Sequence, residues 1–167
     1  MKHLAALLLT SVSALAQTAP QPPAIGNFVY VEQIGSYNNT TVIQTDSEQK
    51  RASVTSTGNN NTINVLQENT GNHTVSVQSL TGNNNTLNLI QSGSGNHELA
   101  IINLSGTNSN NTITSNQTGA GNKSFNIGLN GTNGASVSVS QTVPVTDSGS
   151  MTIQCFSSCG SYSYIKN

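Results

Sequence analysis

Apolar and polar residues alternate along several short stretches of this chain. In "TINVLQ" (62–67) the apolar Ile63 and Val65 alternate with polar residues, and "TLNLIQ" (86–91) repeats the pattern with Leu87 and Leu89. Alternation with a period of two predicts β-strands that bury one face. The stretches are separated by "ENTG", "SGSG" and "TGAG", whose Gly and Asn suit turns with positive φ. The pattern therefore predicts many short strands joined by tight turns.

Side-chain amides recur at both ends of these strands, with Asn six residues before Gln. Since side chains alternate along a strand, this interval places both amides on the face of the apolar residues. Weaker copies of the motif begin at residues 50, 96, 122, 135 and 148. The six full copies are Asn27/Gln33, Asn38/Gln44, Asn61/Gln67, Asn72/Gln78, Asn85/Gln91 and Asn111/Gln117.

The copies form two alternating series with steps of 22 to 26 residues, one starting at residue 27 and the other at residue 38. This period predicts an all-β fold, a two-sheet β-solenoid of about five turns that is competent to form cross-β structure. Like strands would stack at ~4.8 Å, so that each amide bonds to its copies in the adjacent turns. The predicted amide ladder consists of Asn27, Gln33, Asn38, Gln44, Asn61, Gln67, Asn72, Gln78, Asn85, Gln91, Asn96, Asn111, Gln117, Asn122, Gln141 and Gln154.

The apolar residues of the first series move by one position after its second strand. Val75 and Val77 show the shift first, and the later strands of that series repeat it. Either a bulge near Asn72, Asn96 and Asn122 shifts the pleat, or these strands bury a different set of residues. The sequence leaves both alternatives open.

The two ends of the chain differ from the repeats. Residues 1–16 have a basic start, an apolar run and the small-residue box Ala14-Leu15-Ala16, which is typical of a secretory signal peptide. The apolar run is shorter than the ~20 residues that span a bilayer. We therefore expect a Pro-rich leader at 17–26, solenoid repeats at 27–154 and a C-terminal tail at 155–167.

Composition narrows the function classes. Only 7% of residues are charged and 4% are aromatic, which leaves little apolar surface for an ordinary globular core. A net charge of −1 is too small to keep the chain disordered, and without a basic stripe we expect no nucleic-acid partner. No cluster of acid, base and nucleophile is apparent, so neither an enzyme nor a cofactor is expected.

Titratable residues and cysteines are the remaining candidates for chemistry. His73 and His97 both follow Asn in "GNH" and are expected to stack on successive turns as solvated loop-edge residues. A paired-imidazole metal site with Glu98 as third ligand is the less favoured alternative. Cys155 and Cys159, in "QCFSSCG", are expected to form an intramolecular disulfide in an exported protein, with crosslinks between subunits as the alternative. Solvated edge charges are expected at Asp46, Glu48 and Asp147.

The repeats resemble those of the curlin repeat family, which forms bacterial curli fibres. "NFVYVEQIGSYNNTTVIQ" (27–44) and "NTINVLQENTGNHTVSVQ" (61–78) match both halves of its motif, and "NTLNLIQSGSGNHELAI" (85–101) and "NTITSNQTGAGN" (111–122) match the first half and its turn. The resemblance implies a major or minor subunit of an extracellular amyloid fibre at the bacterial surface, used in adhesion and biofilm matrix. Implied partners are copies of itself, a homologous nucleating or major subunit, and an outer-membrane export pore.

A second interpretation is a monomeric secreted β-solenoid that binds ice or polysaccharide. It depends on outward hydroxyl and amide side chains that recur once per turn. One predicted row contains Thr62, Thr86, Thr112 and Ser136, and the next contains Asn64, Asn88, Thr114 and Ser138.

Overall fold

A computed structural model describes residues 5–10, 26–46, 49–155 and 158–167. Glu48, the leader up to residue 25 and parts of the proposed signal peptide lie outside these ranges. The described residues confirm the all-β, two-sheet solenoid, with about six turns rather than five. Its strands are β1 (Ala5–Thr10), β2 (Phe28–Ile34), β3 (Asn39–Gln44), β4 (Arg51–Thr57), β5 (Thr62–Glu68), β6 (Thr74–Thr81), β7 (Thr86–Ser92), β8 (His97–Ser105), β9 (Thr112–Thr118), β10 (Lys123–Asn130), β11 (Ser136–Gln141), β12 (Asp147–Gln154) and β13 (Ser161–Lys166).

Successive strands alternate between the two sheets. The seven-stranded sheet has the order β1-β3-β5-β7-β9-β11-β13, and the six-stranded sheet has the order β12-β10-β8-β6-β4-β2. From β2 onward the pairing is parallel, because each turn returns the chain one strand further along the same sheet. Strand β1 differs, since it pairs antiparallel with β3. Each complete turn therefore adds one strand to each sheet, as the two series predict.

The interior is a thin apolar layer between the two sheets. Ile63, Leu87 and Ile113 stack in register on one side, and their side chains are fully buried. Val75 and Leu99 stack on the opposite side. Burial of such side chains stabilises the fold by about 25 cal/mol per Å² of apolar surface removed from water. Repetition of the same small cluster in every turn gives a core that a chain poor in aromatic residues can fill.

The register of the six-stranded sheet decides between the two explanations of the apolar shift. Ala52 pairs with Val75, and Val75 pairs with Leu99, so these strands bury a different set of residues. Bulges do occur, but at the opposite ends of the strands. One interrupts the pairing of β6 with β4 between Val54 and Ser56. Another interrupts the pairing of β10 with β8 at the end of β10. The bulge alternative at the strand starts is therefore wrong.

The C-terminal segment extends the solenoid. Strand β13 pairs in parallel with β11 over six residues, with Val139 opposite Tyr164. The phenol ring of Tyr164 lies 4.8 Å from the ring of Phe125, measured between ring centroids. A disulfide joins Cys155 to Cys159 between β12 and β13. The C-terminal strand is thus part of the folded solenoid, and the description of residues 155–167 as a tail was incomplete.

Candidate functional site

A column of five glutamines runs along one side of the interior. In the first four, the side-chain amide donates to the side-chain oxygen of the next glutamine, at 2.8 or 2.9 Å. The last, Gln141, donates to the carboxylate of Asp147 instead. The second hydrogen of each amide reaches a backbone oxygen of the opposite sheet, as in Gln67 to Arg51 at 3.0 Å. These amides are buried, so the column satisfies its own polar groups and links both sheets. This glutamine column consists of Gln44, Gln67, Gln91, Gln117 and Gln141.

A second column contains four asparagines at the other end of the same strands. The side-chain oxygen of Asn61 accepts the backbone N–H of Asn85 at 3.0 Å, and its side-chain nitrogen donates to the carbonyl of Gly82 at 2.9 Å. The column ends at Ala135, whose backbone N–H donates to the side-chain oxygen of Asn111. This bond uses only the backbone of residue 135, so it does not need an amide side chain there. The asparagine column consists of Asn38, Asn61, Asn85 and Asn111.

Other members of the predicted ladder lie elsewhere. Gln78 and Gln154 are exposed, because their strands turn the neighbouring positions inward. In the first turn Asn27 donates to the backbone oxygen of Asp46, and Gln33 donates to the hydroxyl of Thr40. An exposed outer row consists of Asn72, Asn96 and Asn122, whose oxygens accept backbone N–H groups of the preceding turn. The prediction of an inward position was therefore wrong for Asn72, Asn96 and Asn122. It was also wrong for Gln78 and Gln154.

The inward positions of the six-stranded sheet hold ionisable residues. Sequence reasoning named His73, His97 and Asp147 but placed them in solvent, and it missed two lysines as candidates. These ionisable residues stack in register as Lys50, His73, His97, Lys123 and Asp147, and each is at most 5% exposed. We call this set the charged column. A signal for it exists in the sequence, because each member lies six residues after a glutamine of the glutamine column. Counting from the preceding glutamine, instead of from Asn72 or Asn96, gives the correct register.

The histidine pair occupies the middle of the charged column. The rings of His73 and His97 are stacked with centroids 4.8 Å apart and planes at 10°, which confirms the stacking. The expectation that they are solvated was wrong, because the shifted register turns both inward. Their Nε2 atoms lie 3.0 and 2.9 Å from the carbonyl oxygens of Glu68 and Ser92. Such contacts require Nε2 to carry the proton, which leaves Nδ1 of each ring buried without a hydrogen-bond partner among the described residues.

The surroundings keep both histidines neutral. Burial lowers the pKa of His73 to about 4. The hydrogen bond to the carbonyl of Glu68 opposes this decrease, whereas the charges of His97 and Lys50 add to it. Burial also lowers the pKa of His97, and the charge of Lys123 acts in the same direction. Neutral imidazoles therefore fill this part of the interior at neutral pH.

The end of the charged column is an ionic cluster around Asp147. Its carboxylate accepts hydrogen bonds from Gln141 at 2.8 Å and from the Tyr164 hydroxyl at 3.1 Å, and it forms a 3.1 Å salt bridge with Lys166. Burial alone would raise the pKa of Asp147, but these three contacts lower it. The expectation that Asp147 is a solvated edge charge was wrong. The neighbouring Lys123 donates to two backbone carbonyls and has its pKa lowered by burial.

The arrangement does not converge on a metal site in the part of the chain that the structure describes. No group of three or more His, Cys, Asp or Glu side chains lies close enough to hold an ion there. Glu98 is exposed on the outer face, whereas its neighbour His97 faces inward. The charged column is suited instead to respond to protons, and the two amide columns are suited to hold successive turns in register.

The outer face of the seven-stranded sheet carries rows of small polar side chains. Thr62, Thr86 and Thr112 pair in register, and the exposed side chain of Asn64 donates to that of Asn88 at 2.9 Å. Beside the second row runs a shallow groove of about 310 Å³, whose apolar lining includes Ile43, Leu66 and Ile90. The predicted outward rows are therefore present as continuous lines.

No family model, curated protein or solved structure matches this chain. Among the described residues no helix has the length and apolar character needed to cross a membrane. The resemblance to curlin repeats accordingly stays a prediction.

Proposed function

We propose that this protein is a structural subunit that stacks head to tail with copies of itself into an extracellular, curli-like fibre. The observation that carries the proposal is the parallel stacking of strands from β2 to β13, with the glutamine column running through it from Gln44 to Gln141. Strands β2 and β12 end the six-stranded sheet, and each has one neighbour in it. A strand at such an edge offers backbone groups that another chain can pair with.

The apolar residues at the two ends support the same proposal. Val29 and Val31 in the first turn pack on the core but are only half-buried. In the last turn Met151, Tyr162 and Tyr164 also pack on the core and are only half-buried. A second copy stacked on either end would cover these side chains as each internal turn covers the next. Both ends of the solenoid thus expose apolar core residues against which a further copy can pack.

Removal of residues 1–16 as a signal peptide would change one of these ends. Strand β1 occupies the outer edge of β3, so its loss leaves β3 open for β13 of another copy. Lys166 of β13 lies opposite Gln141, on the side of the glutamine column. In a head-to-tail stack it would reach the side-chain oxygen of Gln44 in the next copy, which would fix the register.

The cellular role and the other partners rest on the resemblance described above. We propose adhesion and biofilm matrix as the use of the fibre, with export through an outer-membrane pore. A homologous major or nucleating subunit would be a further partner. Assembly itself requires no cofactor in this proposal.

The proposal is tested with purified residues 17–167 at neutral pH. Thioflavin fluorescence should rise with time, and the product should diffract at ~4.8 Å and ~10 Å, the strand and sheet spacings. Val31→Lys places a charge on the first-turn end and should stop elongation. Ser138→Lys, an exposed outward position on the internal strand β11, is the matched control and should not. A chain that stays monomeric for days at tens of micromolar contradicts the proposal.

The continuous outer rows favour a second candidate function, a monomeric solenoid that binds ice or polysaccharide. Threonine hydroxyls recurring at strand spacing form a regular array that an extended ligand could follow. Thr86→Leu and Thr112→Leu should then abolish thermal hysteresis or retention on immobilised polysaccharide, while the chain stays folded and monomeric. Wild-type protein that neither alters ice growth nor binds any polysaccharide tested excludes this candidate.

A further inference from the structure

The charged column places a pair of neutral histidines between two buried lysines. From these contacts we propose that the column is an acid-sensitive switch, which keeps the solenoid closed at neutral pH and opens its middle turns in acid. The inference does not depend on fibre formation, because it concerns the folding of a single chain. It depends on where the two imidazoles lie and on which groups surround them.

The first step is the position of the pair within the column. Lys50 precedes His73 and Lys123 follows His97, with all four residues at most 1% exposed. The register of β8 and β10 places Lys123 opposite His97, one strand spacing away. The imidazoles themselves are 4.8 Å apart. A proton added to either ring therefore creates a positive charge within one strand spacing of other basic groups.

The second step concerns the groups that could compensate for such a charge. Asp147 lies beyond Lys123, and its oxygens already bond to Gln141, Tyr164 and Lys166. Glutamines of the facing sheet are neutral. The remaining charged side chains near the pair belong to Arg51, Glu68 and Glu98, which are exposed or half-exposed strand residues whose neighbouring positions face inward. Among the described residues no carboxylate faces the imidazoles, so an added charge stays uncompensated.

The third step is the hydrogen bonding of each ring. Nε2 already donates to a carbonyl oxygen, so the incoming proton must bind Nδ1. Both Nδ1 atoms are buried and make no hydrogen bond in the described part of the chain. Protonation would therefore place an unsatisfied donor and a charge in the interior at once. Opening of the turns gives both groups water as a partner.

The pH window follows from the two states. The pKa of His73 is lowered to about 4 in the folded chain, whereas an unfolded histidine titrates near ~6.5. Between these values the unfolded chain binds more protons, so acid favours it. The histidine contribution is complete above ~6.5 and is lost progressively as the pH falls towards the folded value. Neutralisation should reverse the opening, since only protons are exchanged.

The test is an acid titration of the full chain at low concentration from pH 7 to 3, followed by circular dichroism. Wild type should lose its β signal within the window and regain it on neutralisation. The variant His73→Asn/His97→Asn should lower the midpoint by about one pH unit, since asparagine does not titrate. Glu98→Gln, an exposed carboxylate in the same strand, is the control and should leave the midpoint unchanged.

A direct measurement covers the case in which the double variant fails to fold. The imidazole protons of His73 and His97 can be followed by NMR in the wild-type chain at the same series of pH values. Protonation of His73 below pH 5 and of His97 below the free-histidine range, accompanied by loss of structure, supports the switch. Normal titration near pH 6.5 with the fold intact, or equal midpoints for wild type and the double variant, would overturn it.

Discussion

The side-chain amide of Gln67 donates to the side-chain oxygen of Gln91 at 2.9 Å, from one turn of the solenoid to the next. The same amide also donates to the backbone oxygen of Arg51 in the facing sheet. One buried side chain thus fixes the stacking of turns and the distance between sheets. It is accordingly at positions of this kind that we expect single substitutions to have their largest effect.

Gln67→Ala should destabilise the fold measurably. Its removal leaves the oxygen of Gln91 without its donor and the carbonyl of Arg51 without its side-chain partner, both in the interior. A buried polar group left unsatisfied costs ~1–3 kcal/mol. The measurement is the free energy of unfolding from urea titration at pH 7, and Gln91→Ala should give a loss of the same size.

Gln78→Ala is the matched control for that prediction. Gln78 also ends a copy of the repeat, but its side chain is exposed and bonds to the hydroxyl of Ser76 on the surface. Its loss should change the free energy of unfolding by less than ~0.5 kcal/mol. If Gln67→Ala and Gln78→Ala proved equally harmless, the glutamine column would not be a source of stability.

Much of the architecture could be predicted because alternation and spacing are local properties of the sequence. Both sheets, the parallel stacking and the period follow from where Asn61, Gln67, Asn85 and Gln91 recur. The facing sheet was harder, since its strands begin with Lys, His or Asp instead of a repeated amide. Their register follows from the six-residue spacing after each preceding glutamine, and this spacing is missed when the count starts from Asn72 or Asn96.

Asp147→Asn should weaken the last turn. The carboxylate accepts hydrogen bonds from Gln141, Tyr164 and Lys166, and a neutral amide accepts them less strongly. Bonds to a charged group contribute ~1.5–3 kcal/mol, so a loss towards the lower end of this range is expected at pH 7. Lys166→Met should cost less, because its side chain is 53% exposed and already partly solvated.

The pH dependence gives this cluster a second signature. The pKa of Asp147 is lowered, so its stabilising contribution is present above the unfolded value of ~3.9 and is lost as the pH falls through the folded value. The difference in stability between wild type and the Asp147→Asn variant should therefore narrow only in strong acid. Comparison in the His73→Asn/His97→Asn background separates this titration from that of the histidines. A gap independent of pH would show that the carboxylate is not the stabilising group.

Reduction of the disulfide should loosen the last strand selectively. The bond between Cys155 and Cys159 closes a short loop before β13, and the backbone N–H of Cys159 donates to the carbonyl of Asn133. Closure of a loop of about five residues stabilises by about 2 kcal/mol in the chain-entropy account. Hydrogen exchange should speed up at Tyr162 and Tyr164 after reduction but not at Leu87. Uniform acceleration along the chain would contradict a local role.

The contribution of β13 illustrates what the sequence could not reveal. "SYSYIK" alternates as a strand does, but it lacks the asparagine and glutamine that mark the earlier copies. Its partners, Val137 and Val139 of β11, become apparent only in the folded structure. A short alternating segment without a repeated motif does not specify its neighbour by itself.

Gly82→Ala should disrupt the close stacking of the loops that join successive strands. A Cβ at Gly82, where φ is +148°, would overlap the carbonyl oxygen of Asn108 in the next turn. The same glycine accepts the side-chain N–H of Asn61, so displacement would also disturb the asparagine column. Overpacking of this kind costs ~1–3 kcal/mol in addition to backbone strain. Gly131→Ala is the control. Its φ is also positive, at +59°, but nothing lies within 4 Å of the position that a Cβ would take. Backbone strain of ~1 kcal/mol should therefore be the whole effect of this substitution. Equal losses of unfolding free energy in urea titrations of the two variants would mean that φ alone, and not contact between turns, requires glycine at position 82.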